Sequence, residues 1–157
     1  MKKKIFILLA MILILGIAAS TSRVASADDA VVPFKATYAT TIISSPGDPG
    51  CNNLIIHGTG DATHLGESTM DSLSIACPAT MTQTGSLEFT AANGDQLFGS
   101  FSGQLAFSFP MVTFWGSYGM TGGTGRFEGN TGAGTYTGTS NLLTNTGIIT
   151  FNGELLK

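Results

Sequence analysis

Positive charge is scarce in this sequence: its 157 residues include only seven Lys and Arg, and four of these precede residue 28. From residue 28 onward, Lys35, Arg126 and Lys157 stand against ten Asp and Glu, which gives a net charge of 3 minus 10, or −7. Binding to the phosphates of nucleic acids or anionic lipids needs clustered Lys and Arg. Three scattered cations therefore argue against nucleic acid and anionic membranes as partners.

Cysteine is also rare, with Cys51 and Cys77 as the two examples. One interpretation is a disulfide, which in an oxidising compartment would stabilise the fold by about 3 to 4 kcal/mol through its effect on the unfolded chain. The other is a pair of metal ligands, but neither cysteine has a His or Cys partner at a spacing typical of zinc sites. We predict the disulfide.

Long apolar runs are missing except at the N-terminus. Lys2, Lys3 and Lys4 precede an apolar run at 5–19, and Ala25-Ser26-Ala27 follows it. This order predicts a signal peptide over residues 1–27, with cleavage after Ala27. The run is shorter than the roughly 20 residues that cross a bilayer as a helix. We expect a secreted protein without a stable membrane anchor, whose single domain spans residues 28–157.

A sustained helical period is absent from that domain, and alternation with a period of two recurs instead. Leu87, Phe89 and Ala91 share one face of a segment whose other face is polar, and Asn93-Gly94 then suits a tight hairpin turn. Such alternation predicts half-buried strands. Eight are expected, at roughly 33–44, 53–60, 65–76, 84–92, 95–103, 105–119, 130–140 and 146–156.

Short, turn-rich connections between these strands favour antiparallel pairing of neighbours. Closure of an even number of strands removes exposed edges, so we predict an all-β fold that is a single eight-stranded antiparallel up-and-down barrel, with a sandwich as the alternative. Glycines at positions two or four apart would share one strand face, where a small barrel needs room. These are Gly99, Gly103, Gly132, Gly134 and Gly138.

Catalytic and cofactor motifs are not recognisable. No G-x-S-x-G occurs, and Gly122–Gly125 lacks the lysine and the helix of a phosphate loop, so it is interpreted as a turn with Phe127 as an apolar plug. His57, Asp61 and His64 would suit a metal only if their turn folded back. A hydrogen-bonded turn position is the preferred interpretation of His64, and we predict neither metal nor cofactor.

Candidate ligand-binding residues come from the aromatic stretch 107–118 and from Arg126. Phe114, Trp115 and Tyr118 are candidates for lining an internal cavity, although core and oligomer-interface positions remain open for them. Arg126 lies beside Phe127 and Glu128, and would either form an ion pair that holds the turn or bind a carboxylate ligand. Phe107 and Phe109 would share a strand face, with Pro110 at a bulge or edge.

Four stretches resemble a known group of proteins: HGTGDATHLGES at 57–68, FTAANGDQLFGSFSG at 89–103, TGGTGRFEGNTGAG at 121–134, and the closing strand with Phe151 and Gly153. Together they resemble secreted bacterial proteins related to the allene oxide cyclase barrel, whose superfamily includes the plant dirigent proteins. The resemblance covers nearly the whole chain after residue 27. Its most specific part is the GGTGRF core at 122–127.

The resemblance implies an eight-stranded barrel with a hydrophobic cavity, dimeric or trimeric in the plant members. Allene oxide cyclase closes a ring in a fatty-acid-derived epoxide, and dirigent proteins steer the coupling of phenoxy radicals. The cyclase has an acid and an Asn in its first strand, ahead of a Ser-Pro. Here 32–46 ends in Ser45-Pro46 but contains no Asp, Glu or Asn.

Three functions therefore stay open. The first is binding of a small apolar ligand inside the barrel, the second is a cyclase or isomerase of the allene oxide cyclase or dirigent type, and the third is a homo-oligomeric extracellular structural protein.

Overall fold

Eight β-strands follow one another along the chain in the computed structural model, which describes residues 30–157. The predicted signal peptide at residues 1–27 lies outside the described residues. Within the described part, no helix has the length and apolar character needed to span a membrane. The strands are β1 (Val31–Pro46), β2 (Asn52–Ala62), β3 (Gly66–Cys77), β4 (Thr82–Ala91), β5 (Gln96–Ser108), β6 (Met111–Gly123), β7 (Thr131–Asn141) and β8 (Thr146–Leu156).

The strands close into a barrel. Each strand pairs antiparallel with the next, and β8 returns to pair with β1 from Val31–Leu156 to Thr41–Thr146. Closure gives every strand two hydrogen-bonded neighbours, so no sheet edge is left open. The predicted eight-stranded antiparallel barrel is confirmed, and the sandwich alternative is excluded.

One strand boundary was predicted wrongly. We expected a break near Gln104, but β5 continues to Ser108, and Phe109 and Pro110 form the turn to β6. Proline lacks the amide that a strand ladder needs, so it lies in the turn rather than at a bulge. Phe107 and Phe109 consequently do not share a strand face, because Phe107 lies in β5, one residue before its end, whereas Phe109 projects from the turn with 76% of its surface exposed.

The glycine-rich turn is also displaced from its predicted position. β6 includes Gly122 and Gly123, and a single 3-10 turn, Gly125–Phe127, follows it. Gly122 and Gly125 adopt positive φ angles of 141° and 56°, which favour glycine. The role predicted for Phe127 is confirmed, since its side chain is fully buried at this end of the barrel.

The two ends of the barrel differ. We call the end with the turns after β2, β4 and β6 the closed end, and the end with the turns after β1, β3, β5 and β7 the mouth. Aromatic rings fill the closed half: Phe89 packs edge-on against Phe34 and Phe151, with ring centroids 5.8 and 5.2 Å apart. Tyr38 and Phe127 belong to the same buried core.

Interior glycines make room for these rings. A Cβ at Gly134 or Gly153 would collide with the hydroxyl of Tyr118, and one at Gly138 would collide with the ring of Phe114. These contacts lie inside the bore and confirm the prediction that the in-strand glycines share the inner faces. Small residues are needed there because the bore of an eight-stranded barrel is only wide enough to be filled by side chains.

Cys51 and Cys77 form the predicted disulfide, with their Cα atoms 4.0 Å apart. The bond joins the start of β2 to the end of β3 at the mouth. It closes a loop with a sequence separation of 26 residues, which corresponds to about 3 to 4 kcal/mol of stabilisation. Such a bond is consistent with an oxidising compartment.

Two glycine-to-alanine substitutions test the packing of the bore. A Cβ at Gly103 would collide with the Trp115 carbonyl and the Tyr136 hydroxyl, whereas one at Gly119 would have its nearest neighbour, the Gly132 carbonyl, at 3.9 Å. We expect Gly103→Ala to lower the free energy of unfolding by about 3 kcal/mol or more. Gly119→Ala should change it by less than about 1 kcal/mol. Urea unfolding of both variants measures the difference, and equal stabilities would contradict this account.

Candidate functional site

A cavity of about 150 Å³ occupies the mouth half of the barrel. Inward-facing side chains of every strand line it, because alternate residues of each strand point into the bore. Its floor is formed by Met70, Tyr136 and Phe151, where the aromatic core of the closed half begins. Its apolar walls are formed by Leu54, Leu87, Phe101, Leu105, Val112 and Phe114.

The cavity reaches solvent at the mouth. Ser44, Phe107 and Leu142 line it and are at the same time exposed. The Cys51–Cys77 bond fixes the rim between β2 and β3. On the opposite side, the Leu142 amide donates a hydrogen bond to the Pro110 carbonyl at 2.9 Å, which joins the turns after β5 and β7.

A few buried polar groups interrupt the apolar wall. The Gln83 side-chain amide donates a hydrogen bond to the Tyr136 hydroxyl at 2.9 Å, and both residues are buried. Ser72 also lines the cavity, and its buried hydroxyl has no hydrogen-bond partner among the described residues. A buried polar atom without a partner is uncommon in proteins. The hydrogen-bonding capacity of this hydroxyl is therefore unused in the described structure.

No ionised group contributes to the lining formed by residues 30–157, which contains no Asp, Glu, Lys, Arg or His. Burial raises the pKa of Tyr136 to about 12, although its hydrogen bond from Gln83 acts in the opposite direction. The phenol thus stays protonated at neutral pH and cannot act as a base there. The cavity is electrically neutral and suits an uncharged molecule.

The structure separates the four residues predicted to bind ligand. Phe114 lines the cavity, as expected. Tyr118 is buried in the core, with its ring centroid 5.4 Å from that of Phe151. Trp115 lies on the outer face of β6 with 40% of its surface exposed, because it is one residue out of phase with the inward-facing Phe114. Arg126 lies at the closed end, far along the barrel from the cavity.

Arg126 holds the turn between β6 and β7. Its Nε atom lies 3.7 Å from an Asp95 carboxylate oxygen, and its guanidinium stacks over the Phe127 ring at 5.0 Å. The backbone amide of Arg126 donates to the same carboxylate at 3.4 Å. Its ion-pair partner is thus Asp95 in the turn after β4, rather than the neighbouring Glu128 that we had considered.

The two histidines belong to different sites. His57 Nδ1 pairs with Asp71 at 2.8 Å on the outer face of the barrel. His64 Nε2 donates to the Pro33 carbonyl at 3.1 Å, and its Nδ1 lies 3.3 Å from the Lys157 ammonium. The interpretation of His64 as a hydrogen-bonded turn residue is confirmed. Residues 30–157 contain no group of three His, Cys, Asp or Glu arranged to hold a metal.

Sequence reasoning missed the polar residues of the cavity. Gln83 shares the inner face of β4 with Leu87 and Phe89, and Ser72 shares that of β3 with Met70. A polar residue in phase with apolar neighbours was the available signal. The strand register decides which half of the bore each residue occupies. This register cannot be derived from the residue pattern of a single strand.

Comparisons with known proteins add no relative to this picture, since no protein-family model, curated protein or solved structure matches the chain. The resemblance to allene oxide cyclase-like proteins therefore depends on the sequence stretches described above. The function has to be argued from the cavity and the surface of the barrel.

Two tyrosine substitutions test the polar interior. Tyr136→Phe removes the acceptor of the buried Gln83 amide, so we expect a loss of about 1 to 3 kcal/mol in the free energy of unfolding. Tyr118→Phe makes the same chemical change at a hydroxyl that has no partner in the described structure, and should be neutral or slightly stabilising. Urea unfolding compares the two variants. A larger loss for Tyr118→Phe would show that the assigned hydrogen bonding is wrong.

The three tyrosines of the chain also predict how stability depends on pH. Burial raises the pKa of Tyr38, Tyr118 and Tyr136 to about 12 from the ordinary value of 10.0. Above pH 10 the unfolded chain loses these protons first, so the free energy of unfolding falls as pH rises through this range, by up to about 1.4 kcal/mol per pH unit for each tyrosine.

Tyrosinate absorbance, followed together with circular dichroism during an alkaline titration, checks this prediction. Both signals should change in one transition above pH 10. Formation of tyrosinate near pH 10 with an unchanged circular dichroism spectrum would contradict the burial of these tyrosines.

Proposed function

We propose that this barrel binds a small, uncharged and mainly apolar molecule in the cavity at its mouth. The observation that carries the proposal is the cavity of about 150 Å³, whose described lining is largely apolar and contains no charged side chain. Ligand sites in proteins are typically concave and apolar, with a small number of polar groups that orient the ligand.

The cavity volume sets the size of the bound group. Apolar cavities of about 150 Å³ in other proteins take up a benzene-sized molecule. A single ring or a short branched chain therefore fits inside, and a longer molecule extends through the mouth past Phe107 and Leu142.

The polar groups set the chemistry of the ligand. The Ser72 hydroxyl can donate to or accept from one hydroxyl or carbonyl group, and binding would give this buried oxygen the partner that the protein does not supply. The Gln83–Tyr136 hydrogen bond uses one donor and one acceptor, so the Tyr136 hydroxyl proton and the Gln83 side-chain oxygen are further polar groups of the lining. The preferred ligand thus has an apolar ring or chain with at least one polar atom.

The setting proposed for this activity is extracellular. The N-terminal sequence supports export with cleavage after Ala27, and the disulfide agrees with an oxidising environment. The sequence stretches described above support membership of the secreted bacterial branch of the allene oxide cyclase and dirigent superfamily, whose barrels carry a hydrophobic cavity.

Binding is favoured over catalysis by the chemistry of the lining. A cyclase or isomerase that transfers a proton needs a group with a pKa near the working pH. The described lining has no carboxylate, imidazole or ammonium group, and Tyr136 is neutral. Ligand binding needs none of these groups.

Small aromatic probes test the proposal. We expect toluene and p-cresol to bind the exported protein, detected by calorimetry and by an upward shift of thermal unfolding. Ala76→Phe, on the inner face of β3, should fill the cavity and weaken both probes at least about tenfold. Ile75→Phe is the control, because it adds the same ring one residue away on the outer face of β3. This variant should bind both probes as tightly as the wild-type protein does.

The Ser72→Ala variant tests the hydrogen bond to the ligand separately from the filling of the cavity. It should weaken p-cresol and leave toluene unchanged, because only p-cresol has a hydroxyl. Thermal unfolding confirms that each variant is folded. Wild-type probe binding by a folded Ala76→Phe variant would show that the cavity is not the binding site.

A further inference from the structure

Charged residues are segregated along the barrel axis. Among residues 30–157, the charged side chains outside the closed half are Asp71, in the middle of β3, and Asp48, in the turn after β1. The other charged residues lie toward the closed end. They are Lys35, Asp61, Glu67, Glu88, Asp95, Arg126, Glu128, Glu154 and Lys157.

Exposed apolar side chains show the opposite distribution. Phe109 and Leu143, at the tips of the turns after β5 and β7, expose 76% and 68% of their surfaces. Met81 projects from the turn after β3. Of the large apolar side chains exposed in the described structure, Val31 and Leu156 alone lie at the closed end.

Further exposed apolar side chains lie on the barrel wall below the mouth. Ile43, Ile55 and Leu73 face each other directly across β1, β2 and β3, and all three are exposed. Ile43 lies three residues before the end of β1 at Pro46, which corresponds to about 10 Å along the strand. An apolar zone about 10 Å deep thus surrounds part of the mouth.

We propose that the mouth of the barrel docks on a lipid bilayer with uncharged or zwitterionic headgroups, inserting the tips of the turns after β3, β5 and β7. Amphipathic helices at a membrane surface bury their apolar face about 5 to 10 Å into the boundary between headgroups and acyl chains, and the depth of this apolar zone is similar. The net negative charge excludes attraction by anionic lipids, so apolar insertion supplies the affinity.

A bilayer fits this surface better than a folded partner does. The apolar side chains lie on separate projecting turns around an opening, and a fluid lipid surface can surround each projection without matching its shape. Docking would also place the cavity mouth against the acyl region, so that an apolar ligand could pass between membrane and barrel. This ligand route rests on the proposed function, whereas the docking rests on the outer surface alone.

Vesicle flotation tests the docking. The exported form that begins at Asp28 should float with phosphatidylcholine vesicles, and less with vesicles that contain phosphatidylserine. Phe109→Ser/Leu143→Ser should lower the partition coefficient at least about tenfold. Val31→Ser/Leu156→Ser removes two exposed apolar side chains from the closed end and should float like the wild type.

Three results would overturn the docking proposal. Two of them are an absence of flotation with phosphatidylcholine vesicles and equal flotation of the two double variants. The third is a dimer in vesicle-free solution that depends on the tip residues, because the surface would then be a contact between copies of the protein. Toluene binding without vesicles reports the cavity separately. A protein that binds toluene but does not float would therefore contradict the docking and leave the proposed function standing.

A fluorescence measurement locates the inserted segment. Trp115 is the single tryptophan of the chain, so the variant Phe109→Trp/Trp115→Phe carries one indole at the tip of the turn after β5. Its emission should shift to the blue on addition of phosphatidylcholine vesicles and be quenched by lipids brominated on their acyl chains. An unchanged spectrum in a protein that floats would show that another surface binds the bilayer.

Discussion

The narrow bore of the eight-stranded barrel is the constraint on which the rest of this structure depends. The interior of such a barrel is only just wide enough for side chains to fill, so large rings fit where the neighbouring positions are small. Rings such as Tyr118 and Phe114 therefore lie opposite glycines, including Gly134 and Gly138, where a Cβ would collide with them. In the closed half, rings fill the bore completely. In the mouth half, shorter side chains leave the cavity.

Alternation along single strands was sufficient to predict the barrel, because period two and short turns leave few other ways to bury one face of every strand. The same alternation led to wrong predictions where the residue pattern of one segment differs from the arrangement of the strands in the closed barrel. The stretch around Pro110 alternates well enough to look continuous, yet the missing amide places the turn there. Of the positions considered for Trp115, the cavity wall was out of phase by a single residue, which in a strand moves a side chain from the bore to the surface, and its outer-face position fits the surface alternative.

The partners of the candidate site residues were beyond prediction for a different reason. Asp95 and Arg126 are 31 positions apart, and Gln83 and Tyr136 are 53 apart. These contacts depend on the stagger of strands around the closed barrel, not on any one segment. The neutral cavity and the apolar zone around its mouth are products of the same stagger, since each gathers residues from several strands at one level of the barrel.

The Cys51–Cys77 bond has a consequence for how the mouth of the barrel is held together. It prevents β2 and β3 from parting at the mouth, so the opening can widen only by movement elsewhere around the rim. Directly across the barrel, the turns after β5 and β7 are joined by the Leu142–Pro110 hydrogen bond, which is far weaker than a covalent bond. The two sides of the mouth are thus held by bonds of very different strength, a covalent bond at β2 and β3 and a hydrogen bond at the turns after β5 and β7.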